Sequence, residues 1–168
     1  MPPRLFELHA TTVVRAPLST VFPFFANPTN LEALTPSFLS FRIVTQEPIT
    51  MQAGTRIDYR LKIHGIPVRW RTEITHFEPP RRFVDVQLQG PYRIWHHEHT
   101  FRSVPEGTEL GDRVRFLPKG GPLAPLLVRF FVRKDVLAIF GYREAQIASR
   151  FGLVRSTPPV IVRLPAGE

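Results

Sequence analysis

Apolar and polar residues alternate across Thr55–Ile63 and again across Ile66–Phe77, with His64-Gly65 between them. Alternation of this kind predicts two half-buried strands. A two-residue connection ending in glycine predicts a type I′ hairpin. The resulting register sets Ile63 opposite Ile66, Leu61 opposite Val68, Tyr59 opposite Trp70 and Ile57 opposite Thr72. All but the last pair are apolar or aromatic on both sides, as cross-strand packing on a buried face requires. The other face carries Arg56, Asp58, Arg60, Lys62, Arg69, Arg71 and Glu73, a charged outer surface of mixed sign.

The same pattern extends in both directions. Residues 4–15 read as a first strand, stopped by Pro17. Ser19 or Thr20 caps a short helix over Val21–Ala26, and Asn27 caps a second one through Leu34, which Thr35-Pro36 ends. Residues 38–46 read as a strand. After the hairpin, strands are predicted at Arg82–Gln89, Arg93–Val104 and Thr108–Leu117, with turns at Pro79-Pro80, Gly90-Pro91 and Pro105–Gly107. From Leu123 to Phe151 the pattern changes to helical spacing, with apolar residues at Leu123, Leu127, Phe130, Val136, Ile139, Phe140, Ile147 and Phe151. Such a helix is about 40 Å long, and Gly152 fits the position just past its end. The charged insert Arg133–Asp135 and Gly141 are where it would bend. The expected organisation is one domain over 1–155 followed by a proline-containing tail over 156–168.

Composition narrows the chemistry. The 168 residues, 43% hydrophobic with 14 phenylalanines, suffice for a full core. There is no cysteine, which excludes disulfides, thiolate catalysis and cysteine zinc sites. No apolar run approaches the roughly 20 residues of a membrane span, and the first residues lack the apolar core of a signal peptide. A cytoplasmic location is therefore expected. The net charge is +8, almost all of it arginine, since the lysines are only Lys62, Lys119 and Lys134. These arginines are spread along the chain, which argues against a nucleic-acid groove.

Ala16-Pro17, Val21-Phe22, Asn27-Pro28, Leu34-Thr35-Pro36, Trp70, Phe83-Val84-Asp85, Gly90-Pro91-Tyr92, Trp95-His96-His97, His99 and Asp112-Arg113-Val114 recur in this order with these elements. Together they resemble the SRPBCC superfamily (START, polyketide-cyclase and birch-pollen-allergen fold), and within it a bacterial cyclase/dehydrase-like, ligand-binding branch. The likeness spans roughly residues 5–151. It implies an α+β helix-grip fold: a curved seven-stranded antiparallel sheet around a long C-terminal helix, with two short helices after strand 1. It also implies that the concave sheet face and the long helix wall a cavity.

Carrying the hairpin register through Pro79-Pro80 sets Asp85 opposite Ile74 and Gln87 opposite Thr72; a loop at Val104–Gly107 sets Phe101 opposite Leu110 and His99 opposite Asp112. A strict two-residue turn at Gly90-Pro91 would pair Asp85 with His96. A three-residue loop or a bulge near Pro91 removes that conflict and turns Trp95 inward. The expected ligand-binding set is then Tyr59, Trp70, Asp85, Gln87, Trp95, His97, His99, Asp112 and Phe116. The leading expectation is binding of a small lipid-, aromatic- or polyketide-like molecule in an internal cavity, with no cofactor. The first alternative is a cyclase/dehydratase-type enzyme in which His97, His99 and Asp112 move protons. The second is a helper that docks a protein partner on the basic sheet face. His97-x-His99 with Asp85 or Asp112 also has metal-ligand character, but His-x-His recurs by chance on strands, and no metal ligand is assigned.

Overall fold

The computed structural model describes residues 5–165; Arg4, at the start of the predicted first strand, and residues 166–168 of the predicted tail lie outside them. Eight antiparallel strands form one sheet in the order β2-β3-β4-β5-β6-β7-β1-β8. They are β1 (Phe6–Val14), β2 (Arg42–Ile43), β3 (Arg56–Ile63), β4 (Ile66–Glu78), β5 (Arg82–Gln89), β6 (Tyr92–Val104), β7 (Gly107–Pro118) and β8 (Leu153–Arg163). Helix α1 (Leu18–Phe25) and a 3-10 helix (Pro28–Leu34) follow β1. After β7 come α2 (Ala124–Leu127), a π-helical turn (Val128–Val132) and α3 (Arg133–Phe151). This is the helix-grip arrangement, with α3 lying across the sheet. Among the described residues no helix is long and apolar enough to cross a membrane.

The predicted hairpin register holds at all four pairs, from Ile57↔Thr72 to Ile63↔Ile66. His64 (φ 50°) and Gly65 (φ 80°) both take the left-handed conformation that a type I′ turn demands. Ile74 faces Asp85, Thr72 faces Gln87 and His99 faces Asp112, as expected. Asp85 pairs with His97 rather than His96, so the longer connection at Gly90-Pro91 is the one present. The β5–β6 register is then regular from Arg82↔Thr100 to Val86↔His96, and the shift between Tyr92 and Ile94 lies on the other side of β6, in its pairing with β7.

Several expectations are corrected. The sheet has eight strands, not seven. The eighth takes up most of the expected tail: β8 pairs with β1 from Phe6↔Arg163 to Val14↔Leu153, so a domain boundary at 155 would cut a strand. Pro158 and Pro159 fall where the β1–β8 register shifts, and β8 is an edge strand, where a missing N–H is tolerated. Residues 38–46 form only the two-residue β2, preceded by a 3-10 turn over Ser37–Leu39. Helix α1 starts at Leu18, three residues early, because the Pro17 carbonyl accepts from Thr20 and Val21 and no serine or threonine side chain caps it. Asn27 does cap the second helix, accepting from the Thr29 amide at 3.1 Å. The long helix is not continuous α-helix: the π turn interrupts it, and Leu123 and Phe130, assigned to its apolar stripe, are exposed.

The inner sheet face and α3 hold most of the core. Val136, Phe140, Arg143 and Ile147 recur at helical spacing on the buried face of α3. Around Val136 and Phe140, Phe6, Leu8, Val114 and Phe116 close one end of the interior. At the other end Phe22 and Phe25 meet Phe101 at ring-centroid distances of 5.2 and 5.3 Å. A third group, Leu39, Ile57, Tyr59 and Leu61, lines β3.

Cross-strand ion pairs cover the outer face. Arg71 grips Asp58 at 2.7 and 3.1 Å, and Arg56 meets Glu73 at 2.8 Å. Exposed pairs of this kind contribute at most about 1 kcal/mol each. Glu7 is different, since its side chain is only 5% exposed and accepts from Arg113 and Arg115 at 2.9 and 2.6 Å. Burial pushes its pKa up, but the Arg115, Arg113 and His9 hydrogen bonds outweigh it and hold the carboxyl at about 2. A depressed pKa contributes stability above the ordinary carboxylate range and loses it as pH falls toward the folded value. The contribution is up to about 3 kcal/mol at neutral pH. The urea midpoint of Glu7→Gln should fall below that of the wild type at pH 7, with the stability gap more than halved at pH 3. A gap independent of pH would refute this account.

Candidate functional site

Between the β3 residues, α3 and the inner face lies a cavity of about 320 Å³. Its walls are mostly apolar. Ile57, Tyr59 and Leu61 come from β3, Trp70 from β4, Trp95 from β6, and Ile139 and Phe140 from α3. The two tryptophans stand edge to face at 5.4 Å, and Tyr92 packs on Trp95 at 4.7 Å. The tip of the β3–β4 hairpin reaches the start of α3, where His64 and Asp135 form a 2.8 Å pair.

One end of the cavity is polar. Strand alternation puts His97 and His99 on the same inner face of β6, and their rings sit 3.7 Å apart. Neighbouring strands supply a carboxylate on each side. Asp85 of β5 lies 2.9 Å from His99 Nε2 and 3.7 Å from His97 Nδ1. Asp112 of β7 lies 2.9 Å from His97 Nε2 and 3.1 Å from His99 Nδ1. Arg143 descends from α3 and meets both oxygens of Asp112 at 3.3 Å, with its guanidinium over the Phe25 ring at 5.1 Å. Thr72 donates to the other oxygen of Asp85 at 3.4 Å.

Charge within the cluster is balanced by position. Burial pushes Asp112 up, but Arg143 and the two histidines overcome it and hold its carboxyl well below the usual range. Asp85 is likewise lowered: burial opposes, and the His99 hydrogen bond prevails. The histidines divide. Burial and the neighbouring His99 push His97 down, toward the neutral ring. Burial also opposes charge on His99, but hydrogen bonds to Asp112 and Asp85 raise it. The two aspartates thus hold Arg143 and favour a proton on His99 over one on His97. Burial, with help from Asp85 and Asp58, pushes the Tyr59 phenol up, so it stays protonated.

Of the nine expected binding residues, Tyr59, Trp70, Asp85, Trp95, His97 and His99 line the cavity. Three do not. Gln87 braces the β5–β6 turn, donating to the Tyr92 carbonyl at 2.7 Å and accepting from its amide at 3.2 Å. Phe116 is fully buried, stacked on Phe6 at 5.8 Å. Asp112 stands behind the histidines, covered by Arg143. Arg143 was missed because helix arginines are ordinarily solvated. Its signal was its spacing with Val136, Phe140 and Ile147, which puts a charge on the buried stripe.

A family of proteins described as polyketide cyclase / dehydrase and lipid transport matches residues 14–139. No curated protein matches the sequence. Solved structures share the fold. TTHA0849 from Thermus thermophilus superposes with a TM-score of 0.64 at 19% identity, covering 85% of this chain and 97% of that one. The ZhuI aromatase/cyclase from Streptomyces sp. R1128 gives 0.62 at 16%, covering 87% and 96%. Ara h 8.0201 gives 0.57 at 16%, covering 87% and 99%.

Proposed function

The chain belongs to the polyketide cyclase / dehydrase and lipid transport family, and on that premise we propose that it binds one small, largely apolar molecule between its sheet and α3. The observation that carries this reading is the cavity itself: about 320 Å³, walled by aromatic and aliphatic side chains, with polar groups gathered at one end. That volume is at the small end of ligand pockets, which run from about 300 to 1,000 Å³. It suits a fused aromatic or short lipid-like molecule rather than a long diacyl lipid.

Affinity would come from apolar burial. Each 100 Å² of ligand surface removed from water contributes roughly 2.5 kcal/mol before the costs of association. Trp70 and Trp95 supply flat faces for an aromatic ring. Asp85, His97 and His99 would then meet a hydroxyl or carbonyl at the ligand's polar end and set its orientation.

Trp70 and Trp95 are the chain's two tryptophans, and both line the cavity, so intrinsic fluorescence reports on it directly. Titration with the neutral probe N-phenyl-1-naphthylamine should saturate at one probe per chain, quenching tryptophan emission as probe emission rises. Probe binding that leaves tryptophan emission unchanged, or that never saturates, would place the probe elsewhere and contradict the reading.

A further inference from the structure

We propose that Asp85, His97 and His99 form a site for one divalent transition-metal ion, zinc by donor type, at the polar end of the cavity. The inference stands on geometry alone and does not depend on which molecule, if any, the cavity takes.

Three donors converge: Asp85 Oδ2, His97 Nδ1 and His99 Nε2. One ligand atom can be chosen from each residue so that all three lie within 4.8 Å of one another. The carboxylate oxygen is 2.9 Å from the His99 nitrogen and 3.7 Å from the His97 nitrogen. Bonds of about 2.1 Å to a shared ion set ligand atoms roughly 3.0–3.4 Å apart in octahedral or tetrahedral geometry. These two separations bracket that range, so the carboxylate oxygen needs to move only a few tenths of an ångström relative to each ring. The 3.7 Å gap is too long for a hydrogen bond, which leaves His97 Nδ1 facing Asp85 without a direct bond to it.

The outer ring of contacts points the same way. A metal-bound imidazole usually donates its other N–H to a carboxylate, which fixes the ring and raises its basicity. Here the far nitrogen of His97, Nε2, hydrogen-bonds Asp112 at 2.9 Å, while the far nitrogen of His99, Nδ1, lies between the same Asp112 oxygen at 3.1 Å and the Arg143 guanidinium at 3.3 Å. Arg143 anchors Asp112, and the Thr72 hydroxyl, shared with the Val86 carbonyl at 3.1 Å, lies 3.4 Å from the second oxygen of Asp85. With both imidazoles deprotonated, as metal ligation requires, two aspartates against one arginine would leave a net negative charge that complements a dication, the ion taking the place of any ring proton. Two histidines and one carboxylate suit zinc and leave at least one coordination position open. All three ligands line the cavity, so that position faces it. An ion there would hold an anionic or carbonyl oxygen at the ligand's polar end.

The test uses the metal alone. Chain stripped with a chelator is titrated calorimetrically with Zn²⁺, and in parallel with Co²⁺ to read its visible absorption. One equivalent per chain is expected. His99→Ala and Asp85→Asn should each weaken binding by more than about 100-fold, and Asp112→Asn by about 10–100-fold. In wild-type protein Zn²⁺ should move the imidazole ¹⁵N resonances of His97 and His99 and leave those of His9, His64, His76 and His96 in place. That spectrum decides the matter even if the variants do not fold. No saturable uptake, uptake unchanged in folded His99→Ala and Asp85→Asn, or movement of other histidines instead would overturn the proposal.

Discussion

Replacing Arg143 by methionine is expected to destabilise the protein by about 3–5 kcal/mol, the usual cost of stranding a buried charge. Domains of this kind have roughly 5–15 kcal/mol in total, so the loss takes a large share of the stability. Arg143 and Asp112 are 8% and 12% exposed at the side chain, and Arg143 is the cation that meets both oxygens of Asp112. Methionine keeps an aliphatic stem in the core but loses the guanidinium over Phe25 and leaves two aspartates facing His97 and His99 with one fixed positive charge fewer. The double variant Arg143→Met/Asp112→Asn removes both charges and should recover much of the loss. Arg82→Met, which breaks half-exposed pairs with Glu78 and Glu98, should cost only a small fraction of the Arg143→Met loss, because solvent screens those pairs. Urea unfolding of these variants and wild type checks all of this. Equal losses for Arg143→Met and Arg82→Met would show that the cluster carries no special weight.

Ile139→Arg is expected to weaken N-phenyl-1-naphthylamine binding by about 100-fold while leaving the fold intact. Ile139 is half-buried on α3 and lines the cavity opposite the β3 wall. Arginine's stem takes cavity space, and its head brings a charge against apolar surface, where desolvation costs several kcal/mol unless the head turns outward. The matched control is Leu126→Arg, because Leu126 is 52% exposed and lies outside the cavity wall. It should leave probe affinity within about twofold. The same fluorescence titration measures both, and a control that weakens binding as strongly as Ile139→Arg would move the probe to the α2 surface.

The sheet was legible where its two faces differ. β3 and the first half of β4 alternate apolar with charged residues, and a one-residue slip would exchange the faces. That is why the registers at His64-Gly65 and Pro79-Pro80 could be read from spacing, and why Trp95 decided the loop length at Gly90-Pro91. The misses have physical causes. Pro158-Pro159 reads locally as a stop, but an edge strand beside β1 has no partner waiting for those amides. Leu123 and Phe130 obey helical spacing, yet the π turn at Val128–Val132 adds a residue and rotates the stripe, and both end exposed. In the site, strand periodicity placed His97, His99, Asp85 and Asp112 together. It could not show that Asp112 sits behind the imidazoles, because that depth is set by Arg143, from a helix 31 residues further along the chain.

The proposed function requires that a small apolar molecule lies inside the sheet–helix grip. Isotope-filtered NOE spectroscopy of labelled protein with bound N-phenyl-1-naphthylamine measures this directly. The account predicts contacts from the probe to the methyl groups of Ile57, Leu61 and Ile139 and to the indoles of Trp70 and Trp95. Contacts confined to the exposed Leu123, Leu126, Phe130 and Phe131 would contradict it, because the probe would then lie on the outside of the helix with the cavity unused.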